Sequence, residues 1–310
     1  MYDIVVVGGG PAGLSAALVF GRQRRSVLVV DGGAPRNAPA AEMHMYLSRD
    51  GFPPQRLLAL GRDELAAYPG VEVRPGLAMA ARGAKEAFEV ELADGDVVHG
   101  RRIVLATGQV DEPYDIPGLA ERFGRSVFHC PFCHGWEAGD KTLAVVTRQP
   151  MEAMLALYLG DRFSKDVVLC TDGPMEFPAP VASAVAVREL PIVDKPIREI
   201  TGDVDDLTIH FDDASMLRRE AIFHRAPTRQ HSGLAEQLGC EVLPDGTIRV
   251  DETQQTTVPG VAAVGDMAKL PAVPDATTLV VLGAGDGVRA ALWMETDMFR
   301  ADLGVVFPEA

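Results

Sequence analysis

Short runs of β-branched and aliphatic residues recur along the chain, each closing on glycine or another small residue. Residues 3–7, DIVVV, run directly into GGGPAG; LSAALVFGRQ (14–23) follows with small and apolar residues at helical spacing, and then SVLVVD (26–31). The pattern predicts strand, glycine turn, helix, strand. It returns in the middle of the chain, where KTLAVVT (141–147) reads as a strand, PMEAMLALYLG (150–160) as a helix with proline in its first turn, and DVVLCTDG (166–173) as a second strand. RRIVLATG (101–108) and GVAAVGD (260–266) are further strands ending in small-residue turns, and ALWMETDMFRADLGVVF (291–307) has the apolar spacing of a helix used for core or dimer contact.

At 310 residues the chain exceeds what one hydrophobic core usually organises, and 47% hydrophobic residues with 31 glycines suit an α/β protein of two Rossmann-type units. Proline-bearing polar stretches, DEPYDIPG and HRAPTRQ, mark the joints, so residues 1–113 and 227–310 are expected to form one discontinuous domain around a central domain, 114–226. No apolar run reaches the ~18 residues that span a bilayer, and MYDIVVVGGG has no basic leader segment. The expected location is the cytoplasm, where stable disulfides are rare. A formal net charge of −15 with no basic stripe argues against a nucleic-acid partner.

Gly8, Gly10 and Gly13, with Pro11 and Ala12 between them, form G-x-G-x-x-G in its proper context. The spacing gives a tight turn, close approach of backbone to a pyrophosphate and close helix packing, with the helix N-terminus facing the phosphates. Asp31 ends the second strand, placed to accept hydrogen bonds from a ribose. Together with RRIVLATG and GVAAVGD, this fingerprint resembles the FAD-binding domain of the two-dinucleotide-domain flavoprotein reductases. The resemblance implies FAD as cofactor, with contacts from Gly32, Arg36, Asn37, His44, Ala106, Thr107, Gly108, Gly265, Asp266, Ala276 and Thr277. It also implies a helix beginning near Ala276 and aimed at the isoalloxazine. GAGDG (283–287) lacks the lysine of a phosphate loop and reads as glycines that permit close helix packing.

Of four cysteines, Cys170 and Cys240 stand alone and read as small buried apolar residues. Cys130 and Cys133 sit in FHCPFCHGWE. Zinc is disfavoured because near-consecutive ligands cannot surround a tetrahedral ion and no second C-x-x-C exists; no metal is expected. C-x-x-C-H matches covalent haem attachment, a process outside the expected compartment. A structural disulfide would close too small a loop to stabilise much. A redox pair remains, with a thiolate stabilised at a helix N-terminus.

These features look like low-molecular-weight thioredoxin reductase over nearly the whole chain, and DGGAPRN (31–37), HMYLSRDG (44–51) and CPFCHGWE (130–137) resemble the branch containing the gliotoxin-type and holomycin-type dithiol oxidases of natural product biosynthesis. The resemblance implies a homodimer, Cys133 as the flavin-proximal thiol and Cys130 as the one exchanging with substrate. His134 stands where the reductases have an acid/base aspartate, and a proton shuttle there suits a group titrating near neutrality.

The reductases carry a second glycine fingerprint for the pyridine nucleotide. Here Thr147, Gln149 and Glu152 occupy its places, and Thr171-Asp172-Gly173 offers no arginine for a 2′-phosphate. Side chains would crowd the pyrophosphate and Glu152 would repel it, so neither NADPH nor NADH is expected to bind. The expectation is FAD-dependent oxidation of a small-molecule dithiol through Cys130 and Cys133, with molecular oxygen reduced to hydrogen peroxide. Two alternatives stand beside it: a disulfide reductase fed by NADPH or a protein donor such as ferredoxin, and a non-catalytic flavin redox sensor. Phe132 and Trp136 point to a partly hydrophobic small substrate or, equally, to core packing.

Overall fold

A computed structural model describes residues 1–304, which form two compact units. The first comprises Met1–Ala38, Tyr46–Val110 and the chain from Arg229 onward; the second comprises Pro39–Met45 and Asp111–Thr228. The chain thus crosses between units within three residues of the two proline-bearing joints, and a short segment of the N-terminal third belongs to the central unit. The end of the apolar run 291–307, from residue 305, lies outside the described residues.

In the first unit a seven-stranded sheet has the order Val71–Pro75, Val27–Asp31, Tyr2–Val7, Val97–Leu105, Ala87–Leu92, Ala78–Ala84, with Val261–Ala263 also on Val97–Leu105. Val97–Leu105 is the branch point. Its last residues pair in parallel with both neighbours, Ile103 opposite Val5 and Val261, while its first residues join an antiparallel meander, Val98 opposite Val90. Alternate residues of the parallel strands enter separate cores. Val5, Val7, Leu28 and Ile103 pack on one face; Ile4, Val6, Val27 and Val104 pack on the other, beneath the helices Pro11–Arg22 and Val280–Asp302. Burial on both faces is why these strands read as unbroken apolar runs.

The helices meet through glycine. A Cβ at Gly287 would lie 2.0 Å from the Ala12 carbonyl oxygen, so GAGDG serves helix packing. The last helix starts at Val280, not near Ala276. Pro271 and Pro274 precede it, and the β-branched pair Thr277–Thr278 leads into an extended Leu279, whose carbonyl accepts the first helical bond from Gly283. Among the described residues no helix is long and apolar enough to cross a membrane.

The second unit repeats the architecture. Five parallel strands run in the order Ile192–Val193, Val167–Cys170, Leu143–Val146, Ala221–Phe223, Val127–Phe128, and Ile197–Asp203, Asp206–Phe211 and Met216–Arg219 form its antiparallel meander. The predicted helix 150–160 appears as a 3-10 turn, Pro150–Glu152, followed by the helix Ala153–Arg162, whose Ala153, Ala156 and Leu159 cover Leu143 and Val145.

Candidate active site

The glycine turn of the first unit is built by exclusion. Gly8 has φ +113°, and a Cβ on it would meet the Ala106 carbonyl oxygen at 2.2 Å; one on Gly13 would meet the Gly8 carbonyl oxygen at 1.9 Å. Both positions therefore require glycine. Gly10 is different: its φ is ordinary, and nothing lies within 4 Å of where its Cβ would stand. The first helix opens there, with Pro11 at its first position, and its first-turn amides have no intrahelical acceptor.

Other expected cofactor residues converge on the same end of the sheet. Asp31 lies beside Gly9, accepts the Gly33 amide at 2.9 Å and faces Arg62 at 3.4 Å, with exposed Gly32 next to it. Gly265 packs on Ala12, and Asp266 pairs with Arg36 at 3.0 Å; half-buried Asn37 follows in the same loop. Ala106, Thr107 and Gly108 form the turn after Val97–Leu105, with the Thr107 hydroxyl 3.4 Å from the Met267 sulfur. Ala276 and Thr277 lie in the loop ahead of the last helix. Open space over Gly10, a helix N-terminus for phosphate and a carboxylate at the second strand's end fit FAD. His44 belongs to the second unit.

There, Val127–Phe128 delivers Cys130 to the N-cap of a short helix, Pro131–His134. The Cys133 amide donates to Cys130 Sγ at 3.3 Å and the Cys133 thiol lies 2.6 Å from it. The two sulfurs are thus within reach of a disulfide bond. Hydrogen bonding from Cys133 is the main cause that brings the Cys130 thiol down to about 7; the Phe132 amide and the positive charge of Arg225 add to it, against burial. Of the two, Cys130 is the sulfur so favoured as a thiolate. Cys170, fully buried, is instead pushed up to about 12, and Cys240 is also buried with a raised pKa, so both are inert core residues.

His134 stacks on Phe128, with ring centroids 4.3 Å apart, and meets His44 edge-on at 6.4 Å. Its Nδ1 is buried without a hydrogen-bond partner among the described residues. Burial, then the nearby His129 and His44, push its pKa down to about 4. The expectation of a group titrating near neutrality is therefore corrected: His134 is a neutral acceptor throughout the physiological range. His44 Nε2 lies 3.6 Å from Glu137 Oε1 and 3.9 Å from Glu42 Oε2. No local pattern marks this grouping, because the loop 39–45 joins the redox helix only through tertiary folding.

The turn equivalent to Gly8–Gly13 is filled in the second unit. Buried Thr147 accepts the Gln149 amide at 2.9 Å, and Glu152 lies 3.7 Å from Arg225. Although Thr171-Asp172-Gly173 has no arginine, Arg148 reaches it from the preceding turn. Its guanidinium is held by Asp172 at 2.6–2.7 Å and sits 4.8 Å over the Tyr114 ring, while Asp172 also accepts the Ile197 amide at 2.6 Å.

A dinucleotide turn and a vicinal cysteine pair, each on a Rossmann-type unit, define a flavoprotein thiol/disulfide oxidoreductase. The chain matches the family described as pyridine nucleotide-disulphide oxidoreductase over residues 2–147 and 192–293, and it belongs to that family. It is 35% identical to the thioredoxin reductase tcpT of Claviceps purpurea, over 89% of this chain and 90% of that protein. To the thioredoxin reductase sirT of Leptosphaeria maculans it is 32% identical, over 98% and 96%. The crystal structure of HlmI superposes with a TM-score of 0.90 at 38% identity, covering 98% of this chain and 94% of that one.

Proposed function

We propose that the protein oxidises a small-molecule dithiol to its intramolecular disulfide, with oxygen as the final acceptor: R(SH)2 + O2 → R(S–S) + H2O2. One substrate thiolate attacks Cys130 Sγ of the oxidised pair, forming a mixed disulfide and breaking the bond to Cys133, which leaves as a thiolate. The second substrate thiol then attacks the substrate sulfur of that mixed disulfide and expels Cys130. A low thiol pKa makes Cys130 a good leaving group. The proton released from substrate passes to solvent, because His134, neutral beside the pair with a pKa of about 4, is too weak a base to hold it. The turn at Gly8, Gly10 and Gly13 would hold FAD, which when bound would supply a two-electron acceptor for return of the cysteines to the disulfide. By resemblance the enzyme is a cytoplasmic homodimer of a natural-product pathway.

The observation carrying the oxidase direction is the filled second turn. Thr147, Gln149 and Glu152 stand where a pyridine nucleotide needs small residues, and the nearby Arg148 is engaged with Asp172. Anaerobic addition of a generic dithiol should bleach the oxidised-flavin absorbance, with air restoring it, while NADPH and NADH leave it unchanged. Rapid bleaching by a nicotinamide would make the protein a reductase.

A further inference from the structure

Phe132 and Trp136 flank the redox cysteines, and neither belongs to the core: they are 65% and 85% exposed. Core packing therefore does not explain them. The Phe132 amide helps hold the Cys130 thiolate, so the backbone of residue 132 lies beside the reactive sulfur. The Phe132 ring leans on Tyr158, with centroids 5.8 Å apart, and Tyr158 packs in turn on Phe163. At Gly135 an added Cβ would meet the Phe163 ring at 2.6 Å. The chain runs tight against Phe163 at that point, and Trp136 follows with its indole in water. Met154, four residues before Tyr158 on the same helix face, is exposed and extends the apolar surface.

The geometry points to this surface as the recognition site for the body of the dithiol, a neutral, ring-bearing small molecule whose sulfurs reach Cys130 while Phe132 and Trp136 cover its ring. The inference rests on the dithiol-oxidase reading. Phe132, Trp136, Tyr158 and Met154 bring no charge, and a chain of net charge −15 disfavours an anionic ligand. Four side chains beside a half-buried sulfur suit a small molecule, whereas a stable protein interface takes about 800 Å² per partner. Large exposed apolar groups adjoining a reactive centre are what an apolar ligand desolvates.

The test compares two dithiols with the same carbon spacing between sulfurs, polar dithiothreitol and apolar ortho-xylylene dithiol. Trp136→Ala should raise KM for the aromatic dithiol about tenfold, leaving its kcat and the kinetics of dithiothreitol unchanged, and Phe132→Ala should raise that KM by a similar factor. Equal losses on both dithiols, or no change on either, would overturn the assignment. So would a loss confined to reaction with a protein disulfide such as thioredoxin, which would make the surface a protein-docking site. A second readout is independent of turnover. Trp293→Phe leaves Trp136 as the sole tryptophan, and titration with the redox-inert bis-S-methyl ether of ortho-xylylene dithiol should change its fluorescence saturably. A flat titration overturns the recognition site, whereas absent dithiol turnover with a saturable titration overturns only the oxidase reading.

Discussion

The amide of Cys133 donates to the sulfur of Cys130 at 3.3 Å, and the Cys133 thiol approaches the same sulfur to 2.6 Å. The two cysteines are thereby unequal. One is stabilised as a thiolate and the other stabilises it, an asymmetry that an exchanging pair requires.

Alkylation of reduced Cys130 by iodoacetamide should accordingly have its midpoint at about pH 7, against the ~8.5 of an unperturbed thiol. Cys133→Ala removes the principal donor and should move that midpoint up by about one pH unit. Arg225→Gln removes a positive charge that favours the thiolate and should move it the same way by less. Mass-spectrometric alkylation rates across pH 5 to 10 read both shifts, and an unmoved midpoint in Cys133→Ala would remove the hydrogen-bond account.

His134 makes the fold acid-sensitive. Its folded value is about 4 and an unfolded histidine titrates near ~6.5, so between these values the unfolded chain binds more protons. Stability is therefore full above pH ~6.5 and declines towards pH 4, by at most about 3 kcal/mol for this group. His224, also buried with a lowered pKa, acts in the same direction. Thermal melts at pH 7 and pH 5 should show a smaller drop in His134→Gln than in the wild type, and identical drops would count against burial of the neutral ring as the cause.

Gly10 and Gly13 should separate cofactor binding from folding. Gly10→Ala puts a methyl into open space at an ordinary φ; the apoprotein should keep its Tm while bound flavin falls about tenfold, because the methyl takes room the pyrophosphate needs. Gly13→Ala drives a methyl into the Gly8 carbonyl and should lower the Tm of the apoprotein itself. Flavin-to-protein absorbance ratios and apoprotein melts distinguish the two.

Arg102 ties the last helix to the sheet. It is 1% exposed and pairs with Glu86 at 2.5 Å and Asp297 at 2.9 Å. Arg102→Ala leaves a cavity and removes one partner of each carboxylate, leaving Glu86 to Arg101 and Asp297 to Lys85, which should destabilise the fold by about 2 kcal/mol. Denaturant unfolding measures this, and a change below about 0.5 kcal/mol would show that the pair contributes as little as a surface bridge.

The sequence by itself determined the strands and their glycine turn, the C-x-x-C and the loss of glycines at 147, 149 and 152, because each is a matter of consecutive residues: φ at Gly8, a carbonyl too close to Gly13, two sulfurs one turn apart. The antiparallel meanders are not legible in the sequence because half-buried strands such as Ala78–Ala84 give a weak alternating signal. The last helix starts at Val280 and not near Ala276 because prolines and β-branched residues keep the preceding loop extended. Only the tertiary structure decided what surrounds the site: His44 beside His134, Arg225 acting on Cys130, Arg148 locked to Asp172, and Trp136 in solvent. Burial and electric field are contributed by residues distant in sequence, so the properties that set a thiol at about 7 and an imidazole at about 4 exist once the chain has folded around them.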